Sequence, residues 1–344
     1  MKTAALLLFP LVSAFAQYQA VRDGEVVRLE DARSQTVVYI MPSRGNSAFR
    51  MTVKGKDVLQ FPYASVEAYL KGPVRFAGIP FLGPWANRLD ETAFYANGKK
   101  YPFNLELGNV KPGQGNHPMH GFLTNAPEWQ VAELKSDGKA AWVTSKLEFY
   151  RYPQYMAQFP FAHTIEMTYR LSTDGLEVRT ALHNLSAEAM PVAIGFHPYF
   201  QVNDAPRDEW TFGLAAQKEW LLAPDKIPTG ETRPIEQMLP KAHDGPLAGL
   251  NLDHVFGDLI RDSSGKATMW VKGKSERIDV SFGPNYKAVV VYAPGSRASF
   301  ICFEPMSGIT DAMNLAQKGK YSELQSIAPG GTWQESFWVK PSGF

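Results

Sequence analysis

Two residues in this chain are of a kind that moves protons near neutral pH, and both sit in unusual surroundings. His197 lies in Ile194-Gly195-Phe196-His197-Pro198-Tyr199-Phe200, and Glu304 lies in Ser299-Phe300-Ile301-Cys302-Phe303-Glu304-Pro305. An imidazole titrates close to pH 7, and a carboxyl among apolar neighbours is raised towards that range. Such a pair can serve as general acid and general base. Side chains alternate along a strand. Val192, Ile194 and Phe196 therefore share one face, and Ala193, Gly195 and His197 share the other. The second face carries almost no side chain before the imidazole, which predicts open space in front of His197. In the other run Ile301 and Phe303 face one way, and Phe300, Cys302 and Glu304 the other. A proline follows each reactive residue and should end the ladder, since it has no N–H to donate. Plainer roles exist: a histidine satisfied by a backbone group, and a glutamate that leaves the core at a strand end.

Other polar residues stand where a ligand could meet them. Asn87 and Arg88 close the irregular segment Gly78–Leu89, and the Ala96-Asn97-Gly98-Lys99 hairpin just beyond should hold the arginine in place. Taken alone, Arg88 could be a surface ion pair. His120 lies in the glycine-rich run Gly113–Phe122 with His117. The intervening proline and the lack of a nearby Cys or Asp make a metal site a poor reading of the two histidines. Hydrogen bonding of a polar ligand by His120 is the better one. Asp253, in Leu252-Asp253-His254-Val255-Phe256, could accept hydrogen bonds from the hydroxyls of a polyol, or cap a turn.

These residues must be positioned by β structure. Short alternating runs recur between Gly, Pro, Asn and Asp, and no helical period is sustained. Ser65–Leu70 is expected to form a single helical turn. Thr164–Leu171 and Leu176–His183 should pair through Ser172-Thr173-Asp174-Gly175. Thr332–Val339 should be the final strand. Asn184-Leu185-Ser186 matches the N-glycosylation pattern.

The whole chain has 344 residues, 35 basic and 34 acidic, giving a net charge of +1. With no basic block, nucleic acid is not an expected partner. The lone Cys302 rules out an intrachain disulfide. A Walker loop, a dinucleotide fingerprint and a G-x-S-x-G elbow are all missing, which leaves acid–base chemistry without a cofactor or metal. Residues 1–16 have the form of a secretory signal peptide: a basic start, the apolar run Ala4–Phe15, and Ala14-Phe15-Ala16 as a cleavage site. A secreted or periplasmic protein is expected, with no membrane association after cleavage, acting as a monomer or homodimer over residues 17–344.

Taken in order, Ala86-Asn87-Arg88, His120-Gly121-Phe122, Gly195–Phe200, Leu252–Phe256, Phe303-Glu304-Pro305 and Ala328-Pro329-Gly330-Gly331 resemble the aldose 1-epimerase (galactose mutarotase) family. The resemblance covers most of the chain after the signal segment. It implies an all-β fold, a large antiparallel β-supersandwich with a sugar in an open cleft. It implies that His197 is the general acid and Glu304 the general base of anomer interconversion. His120, Arg88, Asn87 and Asp253 then bind the sugar. On this reading His197 and Glu304 face each other across a hollow the size of one pyranose. Gly78–Trp85 is richer in proline and aromatics than the family pattern, and 206–246 has no counterpart in it. Three other readings are a phosphosugar epimerase using Arg75 and Arg88, a non-catalytic sugar-binding protein, and a polysaccharide lyase or hydrolase on a similar sandwich. If the leader is cleaved as it reads, N-terminal sequencing of the exported protein will begin at Gln17.

Overall fold

The computed structural model describes residues 16–72, 77–295 and 298–344. Arg75 and all of the leader but Ala16 lie outside the described residues. The chain is all-β. Two large antiparallel sheets, of nine and eight strands, are joined by an N-terminal five-stranded sheet and two two-stranded ribbons. Phe196 of the eight-stranded sheet packs on Phe337 of the nine-stranded sheet at 4.9 Å between ring centres. One apolar core runs between these layers and under the N-terminal sheet. Among the described residues no helix is long and apolar enough to cross a membrane.

The turn chemistry acts as expected. Asn97 and Gly98 both take positive φ, 52° and 72°, and join Ala93–Ala96 to Lys99–Pro102, as a two-residue hairpin of right-handed strands requires. His163–Ser172 and Gly175–Asn184 form the long central hairpin of the nine-stranded sheet. Ser65 caps the short helix Val66–Lys71 by accepting from the Ala68 N–H. The strand Thr332–Ser342 lies in the middle of the nine-stranded sheet, between Arg277–Phe282 and Gly175–Asn184.

The eight-stranded sheet is apolar on both faces. In Ala288–Ala293, Val289 and Val291 enter the inter-sheet core. Ala288 and Val290 join a second cluster with Leu82, Val255, Met306, Ile309, Leu315 and Tyr321. That cluster is covered by the segment carrying the helix Ala312–Gln317. Residues 206–246 supply the strands Thr211–Gly213, Ala216–Leu222 and Pro228–Pro234, which extend both large sheets.

Three expectations are corrected. The alternating run Val192–His197 is not one strand: Met190–Val192 pairs with Gln325–Ile327, and Gly195–Phe196 pairs with Phe81–Leu82 in the eight-stranded sheet. Pro198 does interrupt its ladder, with Gly195–Phe196 ending before it and Tyr199–Phe200 starting after it, but Pro305 does not: Ile301–Met306 runs through it, so Glu304 is mid-strand. The Asn184 motif is not a surface acceptor. Asn184 is fully buried, its amide donates to the Glu188 and Ile327 carbonyls at 2.8 Å, and its Oδ1 accepts from Ser186. Asn184→Ala should cost about 2–4 kcal/mol in a urea melt, because buried partners lose their bonds.

Candidate active site

Strand register puts the polar residues on the outer face of the eight-stranded sheet. Residues directly opposite on paired strands share a face. One row runs Asp253, Tyr292, Cys302, Tyr199 across four strands. The next runs Val255, Val290, Glu304. Cys302 and Glu304 are two residues apart, so both rows lie on the same side. Ile301 and Phe303 point into the inter-sheet core instead. The expected facing of this strand therefore holds, although Glu304 does not terminate it.

Three loops lace together over these rows. Ala86 N–H donates to the Ala193 carbonyl, Leu89 N–H to Pro118, and His197 N–H to Pro80. Gly121 shows how close the approach is: a Cβ there would fall 2.0 Å from the Gly83 oxygen. Asn87 and His120 both adopt left-handed backbone, φ 59° and 61°. Such non-glycine conformations cost free energy and persist where their surroundings fix them. Here each fixes the other. His120 N–H donates to the Asn87 carbonyl at 2.9 Å, and Asn87 N–H donates to His120 Nδ1 at 3.3 Å. The Asn87 Oδ1 accepts from the Arg88 N–H and from its guanidinium. Arg88 in turn reaches Asp253 at 3.3 Å. Arg88 is thus a buried ion-pair residue, not a surface one, and Asp253 caps no turn. The loop is pinned from below, where Asp90 is held by Asp311, Asn314 and Lys318. Burial and the Asp90 charge push the Asp311 carboxyl up to about 8.

His197 Nε2 and Glu304 Oε1 are 3.2 Å apart. Glu304 is 1% exposed and His197 7%. The pyranose-sized hollow expected between them is therefore replaced by direct contact. Nor does Gly195 leave open space: a Cβ there would lie 2.9 Å from the Ala86 Cβ and from the Pro305 oxygen. Glycine at this position serves close packing of backbone. The His197 ring stacks on Tyr199 at 4.6 Å and meets His120 and Tyr292 edge-on at 5.5 and 5.7 Å. Phe300 closes the aromatic surround against Tyr199 and Tyr292.

Electrostatics follow from this dryness. Burial first, then the Asp253 charge, hold the Glu304 carboxyl well above the usual carboxylate range, with Arg88 opposing. Burial, then His120 and Arg88, hold His197 well below the usual imidazole value. Both groups are thus pushed towards their uncharged forms. His120 is lowered to about 3, by burial and by Arg88. Glu304 Oε2 and Arg88 Nε are buried without a hydrogen-bond partner among the described residues. Unused buried polar atoms of this kind suit a site completed by a polar ligand.

The structure brings together Asn87, Arg88, His120, His197, Asp253 and Glu304. It keeps His117 apart in function: its ring pairs with Asp225 at 3.2 Å. Among the described residues no group of three or more His, Cys, Asp or Glu could hold a metal ion. Phe300 keeps the facing expected of it beside Glu304, while Tyr292 is a site residue that the sequence does not mark. Tyr292 was recognisable only once Asp253 and Cys302 were known to be its lateral neighbours.

Comparison with known proteins gives the family and the fold. A family profile described as aldose 1-epimerase matches residues 38–340. The chain belongs to that family. It is similar to an uncharacterized Escherichia coli protein, YphB, at 23% identity over 257 residues, covering 72% of this chain and 78% of YphB. Among solved structures, a galactose mutarotase-like protein from Clostridium acetobutylicum superposes with a TM-score of 0.79 at 22% identity, covering 95% of this chain and 98% of that one. Galactose 1-epimerase from Lactobacillus acidophilus gives 0.70 at 14% identity, with the same two coverages. The fold is that of the galactose mutarotases.

The hydrogen bond from Asn87 fixes the tautomer of His120. A backbone N–H can only donate, so Nδ1 accepts and the ring proton resides on Nε2. Nitrogen-15 NMR should show His120 as the Nε2–H tautomer, with no titration between pH 5 and 8.

Proposed function

We propose that this protein interconverts the α and β anomers of a free aldose, with Glu304 as base and His197 as acid. The observation that carries this reading is the 3.2 Å contact between His197 Nε2 and Glu304 Oε1, on a dry face shared with Arg88, His120 and Asp253. Family membership supports it.

Anomerisation opens and recloses a hemiacetal. One group removes the proton from the C1 hydroxyl while the C1–ring-oxygen bond breaks. Another delivers a proton to the ring oxygen. The free aldehyde rotates about C1–C2, and closure on the opposite face reverses both transfers. The reaction needs one donor and one acceptor in each direction, with no net proton uptake. A buried carboxyl–imidazole pair meets that need. Carboxylate with imidazolium, and carboxylic acid with imidazole, differ only in which partner holds one proton. Burial favours the uncharged form, while Arg88 draws Glu304 towards carboxylate. That balance keeps the proton easy to relocate. Asp253 and neutral His120 are suited to sugar hydroxyls, one accepting and one donating through Nε2.

The pH dependence has a definite sign. Removing the pair's proton, at high pH, leaves no acid. The raised Glu304 moves that limb above the ordinary carboxylate range. Adding a second proton, at low pH, leaves no base. The lowered His197 moves that limb below the ordinary imidazole range. Polarimetry of freshly dissolved α-glucose and α-galactose should show a plateau in kcat/KM bounded by these two limbs. In the same assay Glu304→Gln or His197→Asn should lower kcat by about 10²–10⁴-fold while sugar binding survives. Near wild-type mutarotation in either variant would remove the assigned role.

A further inference from the structure

Beside Asp253, towards the edge of the eight-stranded sheet, stand charged groups that the proposed reaction leaves unused. Glu219 is 2% exposed, and its Oε2 accepts from Arg233 Nε at 2.5 Å. Its Oε1 lies 3.9 Å from His254 Nε2. His254 Nδ1 accepts from the Asp253 N–H at 3.1 Å. We propose that His254, held by Glu219 and Arg233, is a positioning residue that fixes the backbone of Asp253 and so aims its carboxyl group at the sugar hydroxyls. The inference rests on the anomer-interconverting function proposed above.

Strand pairing shows why Asp253 needs this help. Ala216–Leu222 pairs with Leu252–Leu259 only as far as Trp220 opposite Val255. The same strand shifts register against Pro228–Pro234 between Trp220 and Leu222. Asp253 lies two residues beyond the last pair on that side, and there its N–H bonds the imidazole. On the other side it stands opposite Tyr292. The ring nitrogen thus supplies a restraint where the ladder has ended, and the direction of the Asp253 side chain follows from its backbone. Alternation turns His254 away from the row of Asp253 and Tyr292, so it acts through Asp253 and not on the sugar.

The protonation state fits the task. A backbone N–H can only donate, so Nδ1 accepts and the ring proton sits on Nε2, facing the Glu219 carboxyl group. Burial lowers His254 below the ordinary imidazole range, with the Glu219 charge opposing. The ring is therefore neutral at pH 7, and Nδ1 stays free to accept. Burying a carboxyl group is costly unless it is paired, and Arg233 provides the pair. Glu219 and Arg233 both come from 206–246, the stretch with no counterpart in the family pattern. That stretch thereby reaches the site from the sheet edge, through His254 to Asp253 and on to Arg88.

The test is a double-mutant cycle read by polarimetry, with kcat and KM resolved for α-glucose and α-galactose. His254→Leu removes the acceptor and should raise KM about fivefold or more, while kcat stays within about twofold of the unmodified protein. His254→Asn, whose Oδ1 can stand in for Nδ1, should bring KM back to within about twofold. Arg233→Met, at a partly exposed position, should raise KM in the same direction by releasing Glu219. In an Asp253→Ala background His254→Leu should add no further rise, because its effect runs through Asp253. Unchanged KM in His254→Leu or Arg233→Met, a loss confined to kcat, failure of His254→Asn to restore KM, or additive effects with Asp253→Ala would each overturn the positioning role and leave the mutarotase reading intact. An unmodified protein that accelerates neither sugar would overturn both.

Discussion

Everything at the centre of this protein depends on removing water from one carboxyl and one imidazole. In water a glutamate and a histidine side by side form a carboxylate and, at modestly acid pH, an imidazolium. In the dry setting beneath the loops the charged forms of both are penalised, Glu304 upward and His197 downward. The penalty is common to both partners, so it leaves a neutral couple holding one mobile proton. The aromatic surround of Tyr199, Tyr292 and Phe300 keeps that setting dry. Arg88 and Asp253, themselves paired, act on Glu304 with opposite signs and so partly offset each other there.

The scaffold makes this possible by having a sheet with two covered faces. One face of the eight-stranded sheet meets the nine-stranded sheet in the main core. The other is half apolar, under the segment around Ala312–Gln317, and half functional, under the laced loops. The reactive side chains project from regular strands at fixed register, where positional error is small. Loops supply Asn87, Arg88 and His120, and those loops are tied down by reciprocal hydrogen bonds, by close glycine approach at Gly121 and by the anchor at Asp90. The strain of two left-handed residues is met by the bonds between them.

Much of this was readable from residue order, and the failures have physical causes. Asn97-Gly98 dictated its own hairpin because few residue types tolerate both dihedrals. Alternation placed Cys302 and Glu304 together and Ile301 and Phe303 opposite. Alternation does not say whether a face is covered, however, and here both faces are. Gly195 read as vacancy for that reason, although it marks packed backbone. Pro198 and Pro305 both read as strand ends; Gly195–Phe196 does stop short of Pro198, but Pro305 pairs with Val289 inside its strand. Alternation also put Phe300 on the Glu304 face, whereas Tyr292 stayed hidden, since lateral neighbours are set by pairing of distant strands. Asn184 matched a surface motif while its amide bridged a turn to the strand Gln325–Ile327. The short motifs around His120, His197, Asp253 and Glu304 carried the family likeness, and they are the residues the fold collects.

The strand Thr332–Ser342 comes after every other strand of the nine-stranded sheet in chain order, yet it occupies the middle of it. Until it inserts, the sheet exists as two separate halves with unpaired inner edges. A ribosome-bound chain stalled before residue 332 would expose both edges, and exposed edges invite pairing with other chains. Closure also requires contacts between residues far apart in sequence, which slows folding. The protein is therefore expected to acquire its native architecture only after synthesis has passed this segment, and to need shielding from self-association until then.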